Sequence, residues 1–431
     1  ADRGGNQRDV RSGRASRHGD REVIAAVKAA IGILGLGPAG RAMAPYVEAH
    51  RRFQLAAVCD VRSEALPAFE ARTDVARFTS IDAMCAAADI DAIFVATPTW
   101  LHATHVIRAL DAGKHVVVEK PMAVSAAESQ AMIAASDRAG RTLVVGHSQS
   151  FEPGCQVMRA IIASGQLGAL KAINALNYTD WMFRPRLPAE FDRAQGGGTV
   201  YRQAAHQIDI VRYLVGGAVP RTVRATIGDW DRERRGDGAF SAFMQFETGC
   251  TASLFYSGYD HLQGTELTFG ISETGRRASY EYAIARKQLR AGPSEAAGAA
   301  KYAPTARQSE LIKTGSYPAF FGLIIASCER GDLRLTPEGV QVNADWAQCT
   351  IGIDGLPQGR EPVLDELADA IAGRPATHDA RWGAANLDVC LAMIASSDAR
   401  AEVSLPEQTD RPIVMPEAIA QRVEGELAGM Q

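Results

Sequence analysis

The stretch Gly35-Leu36-Gly37-Pro38-Ala39-Gly40 decides the fold. It follows the apolar run 31–34 and opens a segment of helical character, and Asp60 ends the next apolar run about twenty residues beyond Gly40. A glycine loop between a strand and a helix, with an acidic residue at this distance, is the fingerprint of a dinucleotide-binding unit. A glycine turn of purely structural role is the alternative, and the spacing disfavours it.

Each glycine of this loop has a separate expected task. Gly35 permits the tight turn, Gly37 lets backbone N–H groups approach a pyrophosphate, and Gly40 lets the helix pack closely. Because a helix N-terminus carries free N–H groups and the positive end of the dipole, the pyrophosphate is expected there. The predicted phosphate-binding residues are Gly35, Gly37, Pro38, Ala39 and Gly40.

Asp60 and Arg62 are expected to decide which dinucleotide binds. The Asp60 carboxylate would accept hydrogen bonds from the adenosine ribose hydroxyls, which favours NAD. Arg62 lies two residues further on and is compatible with the 2′-phosphate of NADP. The predicted cofactor is therefore NAD, with NADP as the alternative.

Short, nearly continuous apolar runs alternate with helical stretches up to residue 146. Such runs are typical of parallel strands that are buried on both faces. Their alternation with helices predicts an α/β fold with a doubly wound parallel sheet of the Rossmann type. The predicted strands are 31–34, 55–59, 92–96, 116–118 and 143–145.

Beyond residue 146 the runs alternate apolar and polar residues, as in 241–246. This alternation predicts a mostly antiparallel sheet with one covered face. The expected strands are 173–178, 223–230, 240–246, 251–256, 266–271 and 277–282, with helices at 153–164, 204–214, 363–373 and 382–401. We predict a leader (1–29), a dinucleotide-binding domain (30–150), and a substrate-binding and oligomerisation domain (151–431) with an irregular insert at 285–318.

Composition and charge exclude several function classes. The 431 residues carry a net charge of -4, which gives no electrostatic reason to expect a nucleic-acid partner. No apolar run approaches the roughly 20 residues that span a bilayer, so no membrane is expected. The first 22 residues contain six arginines and no apolar core of a signal peptide. We expect a disordered leader there, with a functional basic arm as the alternative.

The seven cysteines are scattered through the chain, and no two have Cys-x-x-Cys spacing. This distribution predicts neither a metal site nor a redox dithiol. Buried, inert thiols in a reducing cytoplasm are the expected state.

Glu119-Lys120-Pro121 carries the predicted acid–base chemistry. Lys120 lies one step beyond a buried strand, at the edge of the sheet where a nicotinamide ring would end. A positively charged ring and an apolar wall would depress the pKa of the amine and suit it to exchange a proton with a hydroxyl. A solvated lysine is the alternative. Glu119 is counted with the cofactor-binding residues.

The loop after strand 92–96 contains Thr97, Pro98 and His102. A loop at this end of a parallel strand faces the cofactor crevice. We expect these three residues to pack near the nicotinamide ribose, and a role for His102 as a mere helix-start residue is the alternative.

A glycine run at 196–198 precedes Arg202, His206 and Asp209. His206 and Asp209 are three residues apart on one helical face, so the carboxylate can orient the imidazole. The alternative is a capping histidine and a solvated aspartate.

Together these motifs resemble the Gfo/Idh/MocA oxidoreductase family over nearly the whole chain after residue 29. The resemblance implies a Rossmann domain followed by an α/β domain with a large open sheet, tightly bound NAD(P), and homodimers or homotetramers. It also implies catalytic positions for Lys120 and His206. The family usually has an aspartate four residues before this histidine, where Arg202 stands here. Since an arginine can bind a carboxylate in bidentate fashion, the substrate is expected to be anionic.

Three further segments, 146–151, 201–207 and 327–332, resemble the branch of phthalate cis-4,5-dihydrodiol dehydrogenases. That resemblance implies NAD(P)-dependent oxidation of a secondary alcohol on a carboxylated ring. The residues assigned to the substrate are Arg202, His147, Arg184, Arg186 and Trp181, with surface arginines as the alternative for the second and third arginine. A decarboxylase of a dihydroxylated aromatic acid and a redox-silent ligand-binding protein are the alternative functions.

Overall fold

Two sheets organise the computed structural model, which describes residues 28–146, 149–184, 186–278, 281–291, 317–406 and 413–429. One sheet has six strands and the other has nine. The predicted fold class is confirmed, because the first sheet is parallel throughout and the second is mostly antiparallel.

The first sheet has the strand order β3-β2-β1-β4-β5-β6. Its strands are β1 (Ala29–Leu34), β2 (Phe53–Cys59), β3 (Ala76–Phe78), β4 (Ala92–Val95), β5 (His115–Val118) and β6 (Leu143–Val145). Helices α1 (Pro38–Ala49), α2 (Ile81–Ala86), α3 (His102–Asp111) and α4 (Ala126–Ala139) lie between them. Every predicted strand is present. β3 was missed because two of its three residues are exposed, so it shows no apolar run.

The second sheet has the strand order β14-β13-β12-β11-β7-β10-β9-β8-β15, and β10 with β7 is its parallel pair. Its strands are β7 (Leu170–Tyr178), β8 (Thr222–Gly228), β9 (Ala239–Gln245), β10 (Thr251–Ser257), β11 (Leu323–Cys328), β12 (Gly331–Thr336), β13 (Gly339–Ala344), β14 (Gln348–Gly352) and β15 (Val403–Ser404). Buried and exposed residues alternate along β9, as expected for a sheet with one covered face.

Helices of the second half pack against this sheet and reach back to the first. They are α5 (Pro153–Ala163), α6 (Ala205–Val215), α7 (Ile284–Ala291), α8 (Glu361–Ile371), α9 (Ala380–Ala399) and α10 (Glu417–Ala428). Val363, Leu364 and Leu367 of α8 are fully buried in the core that contains Ile33 of β1. The two halves therefore share a core, and residues after 360 contribute to the dinucleotide-binding side.

Three predicted segments are corrected by the structure. Residues 266–271 form the end of a short turn of 3-10 helix, Gly264–Leu267, and a loop. The described part of 277–282 is likewise outside the strands, apart from an isolated bridge at Arg277. The first residues of the predicted irregular insert belong to α7, whose arginines, lysine, leucine and alanines are good helix formers. The leader and residues 292–316 lie outside the described residues.

Of the helices in the described part of the chain, none combines the length and apolar character needed to cross a membrane. The same residues contain no group of three or more His, Cys, Asp or Glu side chains that can hold a metal ion.

Candidate active site

A cavity of about 580 Å³ lies at the carboxyl ends of the parallel strands and is lined on its other side by residues of the second half of the chain. This is the edge of a doubly wound sheet at which ligands bind. The predicted residues on its wall are Gly37, Pro38, Ala39, Arg62, Thr97, Pro98, His102, Glu119, Lys120, Arg186, Arg202 and His206. Most of the predicted site is therefore brought together around one cavity.

The glycine loop fits a dinucleotide. Gly35 has a φ of 93°, in the left-handed region that favours glycine, and a Cβ on Gly40 would lie 1.9 Å from the carbonyl oxygen of Gly35. α1 begins directly after Gly37, and no side chain among the described residues caps its N-terminus. Gly37, Pro38 and Ala39 line the cavity at this helix N-terminus, where an anion is stabilised by the helix dipole.

Asp60 is already saturated with hydrogen bonds. Its Oδ1 accepts from the backbone N–H and Nε of Arg62 at 2.9 and 3.0 Å. Its Oδ2 accepts from the N–H of Leu36 at 2.8 Å and from Nη2 of Arg62 at 2.9 Å. Burial favours the neutral acid, but the bonds from Arg62 and Leu36 hold the pKa of Asp60 below its ordinary value. A ribose hydroxyl that binds Asp60 must therefore displace the Arg62 side chain.

His102 joins the two cavity loops that follow β4 and β5. The side chain is 1% exposed, with Nε2 2.8 Å from the carbonyl oxygen of Thr97 and Nδ1 3.0 Å from that of Pro121. Burial lowers the pKa of His102 to about 4, so the ring is neutral at physiological pH. We infer that His102 fixes the positions of Thr97, Pro98 and Lys120.

Lys120 projects into the cavity from the end of β5. Its Nζ donates to the carbonyl oxygen of Arg202 at 3.1 Å. Burial lowers the pKa of Lys120 to about 8, and the positive charge of Arg202 acts in the same direction while Glu119 opposes it. An amine with this pKa is a suitable general base near neutral pH.

Arg202 lies in a single turn of π-helix, Val200–Ala204, which leads directly into α6. Turns of this kind are rare and are frequent at functional sites. The Nε of Arg202 is buried, and no hydrogen-bond partner is present for it among the described residues. On the next turn, the His206 side chain is 9% exposed and its ring centroid lies 4.8 Å from that of Phe321.

Asp209, three residues after His206 on α6, is anchored by hydrogen bonds to α9 and to Ser150. Its carboxylate accepts from Nε1 of Trp382 at 2.7 Å, from Nδ2 of Asn386 at 3.0 Å and from the N–H of Ser150 at 3.3 Å. These contacts fix α6 against α9, and with it the helix turn that carries His206. The orientation of His206 by Asp209 stays a prediction.

The residues assigned to the substrate have different surroundings. Arg186 lines the cavity and binds Glu190, with 2.9 Å between Nη1 and Oε1, and its guanidinium lies 4.3 Å from the ring centre of Trp181. Trp181 is fully buried and is not among the residues that line the cavity, and its ring packs against Arg186 and Phe191. Arg184 is exposed and pairs with Asp180 at 2.5 Å. His147 lies outside the described residues.

Several cavity residues were missed by the sequence analysis. Arg360, just before α8, binds Glu119 with 2.7 Å between Nη1 and Oε1. Glu190, Glu273 and Tyr317 also lie on the wall. No local motif marks these residues, because their partners are distant in the sequence or their loops lack a periodic pattern.

Comparisons with known proteins identify the class. Residues 29–147 match the Gfo/Idh/MocA oxidoreductase family with its NAD-binding Rossmann fold, and residues 155–273 match the Gfo/Idh/MocA C-terminal domain. The 1-carboxy-3-chloro-3,4-dihydroxycyclo hexa-1,5-diene dehydrogenase of Comamonas testosteroni is 36% identical over 374 residues, which are 84% of this chain and 94% of that protein. The chain therefore belongs to the Gfo/Idh/MocA family and is an NAD(P)-dependent oxidoreductase.

Solved structures agree with this assignment. A putative dehydrogenase from Bordetella bronchiseptica RB50 is similar with a TM-score of 0.83 and 37% identity, covering 88% of this chain and all of that one. The WlbA dehydrogenase from Bordetella pertussis, solved in complex with NADH and UDP-GlcNAcA, has a TM-score of 0.66 at 21% identity, covering 89% of this chain and 100% of that one. The second likeness concerns the fold alone.

Proposed function

We propose that the protein oxidises a secondary alcohol on a carboxylated ring, most simply a cis-dihydrodiol, with hydride transfer to NAD(P). The observation that carries this proposal is Arg202, which lines the cavity together with Lys120 and whose buried Nε has no partner in the described residues. A buried guanidinium donor without a partner is costly, and a substrate carboxylate removes that cost. The relative from Comamonas testosteroni is named for a carboxylated dihydroxy-cyclohexadiene, which supports the same choice.

The residues around the cavity have separate roles in this reaction. The bound nicotinamide supplies the hydride acceptor. Lys120 takes the hydroxyl proton as the carbon–hydrogen bond is broken, since its depressed pKa provides neutral amine near neutral pH. His206 positions the reacting hydroxyl or passes the proton on, and Arg202 binds the carboxylate. The ketone that forms on a cyclohexadiene ring tautomerises to a catechol.

The test compares a carboxylated cis-dihydrodiol with the same diol lacking the carboxylate, for wild type and Arg202→Met. Removing one partner of a buried charged pair costs about 2–5 kcal/mol. We expect kcat/KM of Arg202→Met to fall by about 30-fold or more on the carboxylated diol and to change little on the uncharged one. Equal kcat/KM of the wild type on both diols would contradict the proposal.

A further inference from the structure

Besides Arg62, three arginines among the described residues line the cavity, and two of them already bind carboxylates of the chain. Arg186 pairs with Glu190, and their side chains are 10% and 5% exposed, respectively. Arg360 pairs with Glu119, and this pair is also largely buried. Arg202 has no such carboxylate partner among the described residues. The arginine at the ribose end of the cavity, Arg62, is balanced by Asp60.

The pair of Arg186 and Glu190 is held in place from both sides. Arg186 donates from Nε to the carbonyl oxygen of Trp181 at 3.3 Å, and its planar face lies on the Trp181 ring. Glu190 accepts from the N–H of Leu187 at 2.8 Å. Releasing Arg186 toward a substrate would break its ion pair with the buried Glu190 carboxylate, which is unfavourable in a buried site. The pair can donate a hydrogen bond to a neutral hydroxyl but provides no net positive charge.

We propose that the site selects rings with a single carboxylate, bound by Arg202, and discriminates against dicarboxylated rings. This inference rests on the proposed function and narrows its substrate class. Among the described residues, once Arg62 is set aside with Asp60, the cavity wall carries three arginines and Lys120 against four glutamates. Of the described cavity cations, Arg186 and Arg360 already bind carboxylates, and Lys120 must be neutral to accept the hydroxyl proton. A second carboxylate would therefore meet acidic side chains, Glu190 and Glu273 among them, without a described cation to pair with. Dicarboxylated phthalate diols are therefore the poorer substrates, although the sequence resembles the branch of enzymes that is named for them.

The experiment measures kcat/KM of the enzyme with cofactor on mono- and dicarboxylated cis-dihydrodiols of the same ring. The wild type should prefer the monocarboxylate by about 30-fold or more, the ratio expected for one unpaired charge in a buried site. Dissociation constants for benzoate and phthalate, measured on the complex with NADH, should show the same order. Unlike kcat/KM, they do not depend on the chemical step.

Glu190→Gln provides the decisive variant, because it keeps an acceptor for Leu187 while freeing the charge of Arg186. Its preference for the monocarboxylate should shrink by about tenfold or more. Glu273→Gln is the matched control, since it removes one negative charge from the same wall without freeing an arginine from a pair, and its preference should change much less. NADH binding by both variants checks that the site is folded.

The outcomes separate the two proposals. A wild type that oxidises the dicarboxylate as well as the monocarboxylate would overturn this inference and leave the proposed function standing. An unchanged preference in Glu190→Gln with intact NADH binding would overturn it as well. A wild type that oxidises neither diol would overturn the proposed function and this inference together.

Discussion

Lys120 should set the pH dependence of turnover. Its pKa is lowered from 10.5 to about 8, which corresponds to about 3.4 kcal/mol of relative stabilisation of the neutral amine. At pH 7 about one amine in eleven is then neutral, against about one in 3,000 at the ordinary pKa, a difference of about 300-fold. Because only the neutral amine accepts a proton, kcat/KM for oxidation should rise with pH and level off above about pH 8.

The perturbation is to replace Lys120 with alanine or with arginine, which keeps the charge but cannot deprotonate. Both variants should lose about 10²-fold or more in kcat, as expected for lost acid–base catalysis, and should lose the rise with pH. Binding of NADH, followed by fluorescence titration, should change little. Near-normal turnover in either variant, or a wild-type pH profile in Lys120→Arg, would refute the role given to Lys120.

Three further predictions rest on contacts of the scaffold and of the predicted cofactor pocket. The wild type should favour NAD over NADP in kcat/KM, and Arg62→Ala should increase that preference because it frees the Asp60 carboxylate for the ribose; a shift toward NADP would contradict this. Burial opposes the charge on His378, but Glu366 at 2.9 Å raises the pKa of His378 above 6.5. Their pairing therefore stabilises the fold below about pH 6.5, and this stabilisation is lost as the pH rises through the raised pKa. Glu366→Gln should therefore lower Tm more at about pH 6 than at about pH 9, and equal losses at both pH values would count against the pair. Gly40→Ala should lower Tm and weaken NADH binding because its Cβ would lie 1.9 Å from a carbonyl oxygen, whereas the helical control Gly425→Ala, which has open space, should do neither.

The parallel sheet could be predicted from the sequence because its strands are buried on both faces and so read as continuous apolar runs. β11 and the three strands after it were missed for the opposite reason. Most residues of β11 are only half-buried, so neither a continuous nor a cleanly alternating pattern marks it. The π-helical turn that carries Arg202 could not be predicted from the sequence either, because it differs from an α-helix only in the hydrogen bonds of one turn.

Whether a residue of the candidate site could be predicted also depends on whether its contacts are local or distant in the sequence. The glycine loop and Lys120 are marked by their neighbours in the chain. Arg360 meets Glu119 across 241 residues, a pairing that no local pattern indicates. Arg184 and Arg186 are two residues apart in an irregular loop, so no periodicity could tell which of them faces the cavity.

The central claim is net oxidation of a carboxylated ring diol, and the stoichiometry of cofactor reduction tests it most directly. The purified protein would be given a monocarboxylated cis-dihydrodiol with excess NAD or NADP, and both the reduced cofactor and the aromatic product would be quantified. One reduced cofactor for each catechol carboxylate formed is the predicted result. No net cofactor reduction with the diol, together with CO₂ release from the corresponding dihydroxylated aromatic acid, would contradict the claim and would indicate the decarboxylase instead.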